Sequence, residues 1–585
     1  MGQMEIMLRC TGMSPLLRKF FRMNSIIRRL ISARYVCICI YVLFCFVFLA
    51  CVGYLHDSNS NDDVIKAWAQ ILTQNHINIS FFTIQWHLNG LDKGAKNFGA
   101  PEGRSFGFQD TRYLWNRGHW KCLDDSNGRM KGYSFNNCVK KFTGDYKMKR
   151  VYNTDFLTDK AIEFIKAQKE LNNKFALMVS YPDPHAPNKV RAPYDTMYDD
   201  TNFEFPHTAK VALKKEPAIP NWSYRDPKYR NVTASDADAQ IDDIEASNDF
   251  QKTMRQNFGM IKLIDDSVGR ILNSLHETGL TKNTILVFTS DHGDLMAEHG
   301  NYGKVLPYKT SAGIPFILRW PDKIKPKVVS SVFSSVDFVP TILNLVGAKS
   351  TGELDLPGID ASPDLLDAEL WKSNSLQTRF IDGPNGRYAA ALTERFKLVL
   401  NKKGTPWLFD LEKDPDELLN FYKSTEFYTE VSTRMQADLV DAMAKHDFGL
   451  MKGKNPVYLD RPACEETLNN LGRSLPVDTC HDLAGDEAEA ENYCAKESFQ
   501  TTCPVTCNSC VEDSVGTMLL KNREITCDKQ VRKKPNYYCK MKYVQLFCAD
   551  TCSGFMSSLS NRALAGGKEI IQEDVRHPRR RLLPF

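Results

Sequence analysis

Residues 285–304 read Ile-Leu-Val-Phe-Thr-Ser-Asp-His-Gly-Asp-Leu-Met-Ala-Glu-His-Gly-Asn-Tyr-Gly-Lys. Ile285 to Thr289 form a short apolar run rich in β-branched residues, the signature of a buried strand. Just upstream, Ile261, Ile264, Val268, Ile271 and Leu275 fall at helical spacing, and Gly279 stands where a C-terminal cap belongs. Helix followed by buried strand is the unit of an α/β domain with a mainly parallel sheet and helices on both faces, and the pattern extends over 56–450. Two further apolar runs end in polar, titratable groups, as this one ends in Asp291-His292. Ile79–Ile84 leads into Gln85-Trp86-His87, and Phe175–Tyr181 leads into Pro182-Asp-Pro-His185-Ala-Pro187. In open α/β sheets, ligands bind beyond the carboxyl ends of the strands. Three such ends, with Lys304 close behind Asp291, predict one shared site.

The chain has 585 residues, 42% of them apolar and 25% charged, which excludes a mainly disordered or collagen-like protein. Its 75 Lys and Arg balance 71 Asp and Glu, so nothing in the net charge of +4 calls for a nucleic-acid partner.

Tyr35 to Tyr54 run without a charge, about the 20 residues a helix needs to span a bilayer. Arg9, Arg18, Lys19, Arg22, Arg28, Arg29 and Arg34 precede the run. The reading is a basic cytosolic segment, 1–34, and a transmembrane signal anchor, 35–55. The protein is then single-pass and type II, with its bulk lumenal or extracellular on the secretory route. A cleaved signal peptide is the alternative, and either places the body in an oxidising compartment. The tripeptides at Asn78, Asn221 and Asn231 have the form of N-glycosylation acceptors.

Cysteine usage agrees. Ten of the 17 cysteines lie between 464 and 552, in two units that share Tyr-Cys, eight residues, Cys, three residues, Cys. Disulfides are the expectation for such lumenal modules, with zinc as the competing reading of Cys503 to Cys510. Cys122 and Cys138 are expected to bridge each other.

Thr289 to Lys304 resembles the metal-and-lysine segment of the sulfatase family, within the alkaline-phosphatase superfamily. Ser180-Tyr-Pro-Asp-Pro-His-Ala-Pro187 resembles its substrate-histidine segment, and Trp86-His-Leu88 the end of its G-K-W-H-L-G motif. Phe396-Lys-Leu398 and Trp407 to Glu417 resemble its closing subdomain. The resemblance implies an alkaline-phosphatase-like core over 56–330 and a small α+β subdomain over 331–450. It implies hydrolysis of sulfate esters, such as those of a sulfated glycan, by a formylglycine hydrate and one divalent metal, usually Ca2+. Asp291 and His292 would be metal ligands, and a carboxylate suits a hard cation. Lys304 and His185 would hold the sulfate. His87 would stabilise formylglycine or assist proton transfer. A phosphodiesterase of the same superfamily is disfavoured by the Gly303-Lys304 segment and the closing subdomain.

The first cysteine unit, 464–510, resembles the ShK-toxin-like (ShKT) domain, and 527–555 resembles a partial copy. That family's pairing implies Cys464–Cys510, Cys480–Cys503 and Cys494–Cys507. In the second unit the first and sixth cysteines are absent together, which leaves Cys527–Cys548 and Cys539–Cys552. These modules are read as appendages that bind protein or carbohydrate, followed by a solvated basic tail, 556–585.

Two family motifs have no counterpart. No strand ends in paired aspartates, and no Cys or Ser is followed by x-Pro-x-Arg. Asp62-Asp63 reads as a solvated linker. The expected lysine before Trp86 is Gln85. The core is therefore expected to be N-terminally incomplete and inactive as written. The cause is either a mis-joined exon or genuine loss, in which case the chain is a non-catalytic binding protein. Sequencing the native transcript from codons near 50 through Trp86 separates these. A longer product encoding an Asp-Asp strand and C/S-x-P-x-R restores the enzyme; a product matching this chain excludes the formylglycine route.

Overall fold

The computed structural model describes residues 40–41, 78–83, 119–124, 131–134, 149–213, 245–329, 331–348, 358–366, 378–383, 386–401, 405–446, 448–452, 457–460, 513–520 and 523–553, with Asp110 and Tyr113. It divides into two compact units, Met1–Val399 with Trp407–Gly449, and Leu400–Pro406 with Leu450–Phe585.

In the first unit, β1 (Ile40–Tyr41), β2 (Asn78–Thr83) and β6 (Phe175–Ser180) make a parallel sheet in the order β1-β6-β2. β3 (Trp120–Asp124), β4 (Lys131–Ser134) and β5 (Lys149–Tyr152) form an antiparallel sheet with β3 central. α1 (Asn153–Glu170) follows β5 directly, and α2 (His207–Leu213) and α3 (Asn248–Glu277) come later. β7 (Leu286–Thr289) pairs with β8 (Phe316–Arg319) antiparallel, not parallel as the strand pattern suggests. An apolar run fixes burial, whereas direction depends on the connection. Here the connection, 290–315, carries the loop that bears Lys304 and one four-residue helix, Lys309–Ala312, rather than a crossover helix, and β8 runs back along β7.

The core is what the helical spacing predicts. Ile264, Val268, Ile271 and Leu275 of α3 meet Leu157, Ala161 and Ile165 of α1, and both helices cover Leu177 and Val179 of β6 and Leu286 of β7. At about 1.5–3 kcal/mol per buried large aliphatic side chain, this cluster is the main source of stability for the strands that carry the site. Ser247 caps α3 by accepting from the Phe250 amide. Gly279 ends it at φ +68°, the left-handed conformation in which glycine carries no Cβ penalty. Gly259 lets α3 approach the Tyr194 carbonyl, where a Cβ would lie 2.3 Å from the oxygen.

α4 (Phe338–Leu345) leads to an antiparallel sheet of β9 (Arg379–Asp382), β10 (Tyr388–Leu392), β11 (Phe396–Asn401) and β12 (Trp407–Asp410), in the order β12-β11-β10-β9. α5 (Glu426–Lys445) packs against β9 and β10. Between 331 and 450 the described residues thus hold helices and one antiparallel sheet.

Of the run read as a membrane anchor, only Ile40 and Tyr41 are described. They stand as a strand beside Leu177 and Met178 of β6, not as a helix. An uncharged run rich in Val, Ile and Cys satisfies a buried parallel strand as well as a bilayer, and periodicity does not separate the two. No described helix is long and apolar enough to cross a membrane.

The second unit holds β13 (Val457–Tyr458), β14 (Met518–Leu520) and β15 (Arg523–Ile525), paired antiparallel, and α6 (Lys542–Phe547). Cys527–Cys548 and Cys539–Cys552 are disulfides, the two bridges expected there. Cys122 lies in β3. Cys138, Cys464, Cys480, Cys494, Cys503, Cys507 and Cys510, with Asn221, Asn231 and the tail, lie outside the described residues. The Cys527–Cys548 bridge closes a separation of 21 residues. Its removal by Cys527→Ser/Cys548→Ser is expected to cost the module about 3 kcal/mol, read as a lower urea midpoint of its unfolding.

Candidate active site

At the carboxyl end of β7 the chain turns sharply. Ser290 donates to the His292 carbonyl at 2.8 Å, and the His292 amide donates to Asp291 Oδ1 at 2.9 Å. Gly293 passes so close to Thr310 that a Cβ would lie 2.0 Å from its carbonyl oxygen. The turn aims both functional side chains the same way. His292 Nδ1 lies 2.8 Å from the Gly293 carbonyl, an acceptor only, so Nδ1 carries the proton and Nε2 keeps its lone pair. That Nε2 lies 3.1 Å from Asp291 Oδ2 and 2.7 Å from Lys304 Nζ. Lys304 Nζ is a donor only, so it donates to this Nε2.

Lys304 reaches β7 because the intervening loop is closed on itself. Asp294 Oδ1 accepts from the Met296 amide at 3.0 Å and the Gly303 amide at 3.1 Å, and the Leu295 amide donates to the Gly303 carbonyl at 2.7 Å. Met296, Ala297, His299, Gly300 and Gly303 all have positive φ. The surroundings hold this unfavourable backbone in place. Thr208 of α2 donates to Glu298 and accepts from the His299 amide at 3.0 Å. The His299 ring stacks on Tyr308 at 3.7 Å and 8°. Burial, with Lys397 nearby, pushes the His299 pKa down to about 3, so the ring is neutral.

His185 stands at the end of the segment after β6. Its Nδ1 lies 2.6 Å from the Ala186 carbonyl, which again leaves Nε2 as the free lone pair. Burial lowers its pKa, and the nearby Lys304 charge lowers it further. His87 lies outside the described residues.

Sequence reasoning missed what holds these segments. Asp183 is fully buried two residues before His185. It accepts from Tyr152 at 2.8 Å and from Thr154, and His119 Nδ1 lies 2.7 Å away. Burial, together with Asp183, pushes the Tyr152 pKa far up, so the phenol stays a donor. Lys397 and Glu417 form a buried ion pair. Lys397 also donates to the Pro307 carbonyl at 2.6 Å, and Glu417 accepts from the Lys309 amide at 2.6 Å. The only sequence signal was that Asp183, Lys397 and Glu417 sit inside recognised motifs.

The sulfatase family model matches residues 49–348, half of the chain. The chain belongs to the sulfatase family. A second family model, N-sulphoglucosamine sulphohydrolase, C-terminal, matches residues 297–445. An arylsulfatase of Clostridium perfringens is 26% identical over 339 residues, 56% of this chain and 62% of that protein. Arylsulfatase K of Gallus gallus is 30% identical over 306 residues, 48% and 54% respectively. The chain thus spans well under two thirds of the length of these curated relatives. The crystal structure of a sulfatase candidate, yidJ, from Bacteroides fragilis superposes with a TM-score of 0.51. It is 23% identical and covers 76% of this chain and 94% of that one, a likeness of fold.

Sulfatases generally use a divalent metal and formylglycine. In this chain Asp291 and His292 lie together at the end of β7, and no group of three or more His, Cys, Asp or Glu able to hold a metal occurs among the described residues. Ca2+ takes six to eight oxygen ligands, so the described residues do not by themselves fit that ion.

The depressed pKa of His299 gives a pH signature. The unfolded ring binds a proton below its ordinary value of 6.5, whereas the folded ring does so only near 3. Stability is therefore expected to fall as pH drops from 6.5 toward 3, by up to about 1.4 kcal/mol per pH unit from this residue. Urea unfolding of the native chain and of His299→Phe, compared across that range, reads the difference as a shallower slope in the variant.

Proposed function

We propose that this sulfatase-family chain handles the sulfate esters of carbohydrate. The family's reaction class is sulfuric ester hydrolysis, and the chain is placed on the secretory side of a membrane to which 35–55 anchors it. The observation that carries the reading is the convergence of Lys304 on Asp291 and His292 at the end of β7, with His185 beside them. An ammonium suits a sulfate ester, and so does an imidazole nitrogen when it carries a proton. Lys304 binds a non-bridging oxygen and neutralises charge that builds as the ester bond breaks. His185, once protonated at Nε2, donates to the sulfate. His87 is assigned to the side of the nucleophile.

The formylglycine precursor has no counterpart in the 585 residues. We therefore propose that this sequence binds a sulfate ester without formylglycine turnover, as a lumenal or extracellular binding protein. The matched C-terminal family, named for an N-sulphoglucosamine sulphohydrolase, favours a sulfated amino sugar over a simple aryl sulfate.

Calorimetric titration with N- and 6-O-sulfated glucosamine, and with p-nitrophenyl sulfate, tests this. Binding of the sulfated sugar is expected, with no sulfate released. Lys304→Ala is expected to weaken it about tenfold or more, the loss of one charged hydrogen bond. Equal affinity for the desulfated sugar would sink the reading. Steady release of sulfate would show a nucleophile other than formylglycine.

A further inference from the structure

The second unit ends in a small module whose core is made of Met518, Ile525, Val531, Val544, Leu546 and Phe547 with its four half-cystines. From Lys529 to Lys542 the sequence reads Lys-Gln-Val-Arg-Lys-Lys-Pro-Asn-Tyr-Tyr-Cys-Lys-Met-Lys, with six basic residues and no acidic one, in a chain whose net charge is +4. Lys529, Arg532, Lys533, Lys534 and Lys540 are all exposed. Lys529 lies in a π-helical turn, Cys527–Val531, and Arg532 and Lys533 follow it directly.

Little opposes this charge. Arg532 lies 3.8 Å from Asp513, and Asp528, Glu524 and Asp550 are exposed nearby in sequence. Lys529, Lys533, Lys534 and Lys540 enter no ion pair among the described residues. Tyr537 is 53% exposed and stands edge-on to Tyr538 at 4.9 Å. A row of cations beside an exposed aromatic ring matches a polymer that alternates anionic groups with sugar faces. The segment is also held before any ligand arrives. Cys527 and Cys539 bracket it, and each is bonded to the chain at or beyond α6. Little ordering cost then falls on binding.

We propose that the disulfide-bound segment 527–542 is a docking surface for a sulfated polysaccharide, gripped by Lys529, Arg532, Lys533, Lys534 and Lys540, with Tyr537 against a sugar ring. Structural disulfides belong to an oxidising compartment, where sulfated glycans rather than nucleic acids are the abundant polyanions. The proposal rests on the reading of a sulfated carbohydrate as the ligand of the core. It adds a second, chemically independent grip carried by a different unit, which would raise the local concentration of ester groups.

Immobilised heparin is the test probe, with the full chain applied at physiological ionic strength. Retention is expected, and it should weaken steeply with added NaCl. Lys529→Glu/Lys533→Glu/Lys534→Glu is expected to bind at least about tenfold more weakly, the scale of a few lost surface charges. A control with the same change in net charge on exposed residues of the first unit, Lys166→Glu/Lys169→Glu/Lys174→Glu, is expected to keep most of the binding. Equal losses in the two variants, an unaffected module variant, or preference for anionic phospholipid vesicles over heparin would each overturn the proposal. Binding of small sulfated sugars reports on the core separately. Its absence alongside module-dependent heparin binding removes the core reading and keeps this one.

Discussion

The buried pair Lys397–Glu417 is the interaction on which the rest of the first unit depends. Lys397 comes from β11 and Glu417 from the turn after β12, yet both also bind the backbone at Pro307 and Lys309. That backbone follows Lys304 directly. Two ions taken from water lose several kcal/mol of hydration each. Each here recovers it through the other and through a second hydrogen bond. Removing one partner would strand the other in a dry interior. The sheet β9–β12 thereby holds one flank of the Lys304 segment as well as closing the fold. Around the pair, Leu295, Leu306, Tyr308, Tyr388, Val399, Trp407 and Phe409 form one apolar cluster, so packing and charge enforce the same geometry.

The parts of this arrangement that were legible in the sequence are the local ones. The 3.6-residue spacing of α3, the cap at Gly279 and the apolar strand before Asp291 are each written within one short window. The pairing of Cys527 with Cys548 and of Cys539 with Cys552 followed from a family resemblance, which carries long-range information that spacing lacks. What sequence did not disclose are contacts across distance. Asp183 meets Thr154 and Tyr152, 29 and 31 residues away, and Lys397 meets Pro307 across 90. A single polar residue in a loop has no periodicity to betray its burial. The run from Tyr35 is a different case: its composition satisfies two environments, and only Ile40 and Tyr41 of it are described, as a strand beside β6.

The two units illustrate different routes to rigidity. The first buries aliphatic side chains between helices and strands. In the second, the described residues of 513–553 add cross-links to a small core, with Cys527, Cys539, Cys548 and Cys552 all buried among apolar residues. The first can therefore place polar groups such as Asp183 deep in its interior. The second keeps its polar chemistry outside.

The loop that Asp294 closes acts as a molecular ruler between Asp291 and Lys304. Its two ends are fixed by hydrogen bonds to one carboxylate oxygen, and its left-handed residues set each bend. One inserted residue would add up to about 3.5 Å of chain, more than the 2.7 Å that separates Lys304 Nζ from His292 Nε2. Length here is chemistry: exchanging side chains on the outer face of this loop leaves the ammonium in place, whereas changing the number of residues removes it.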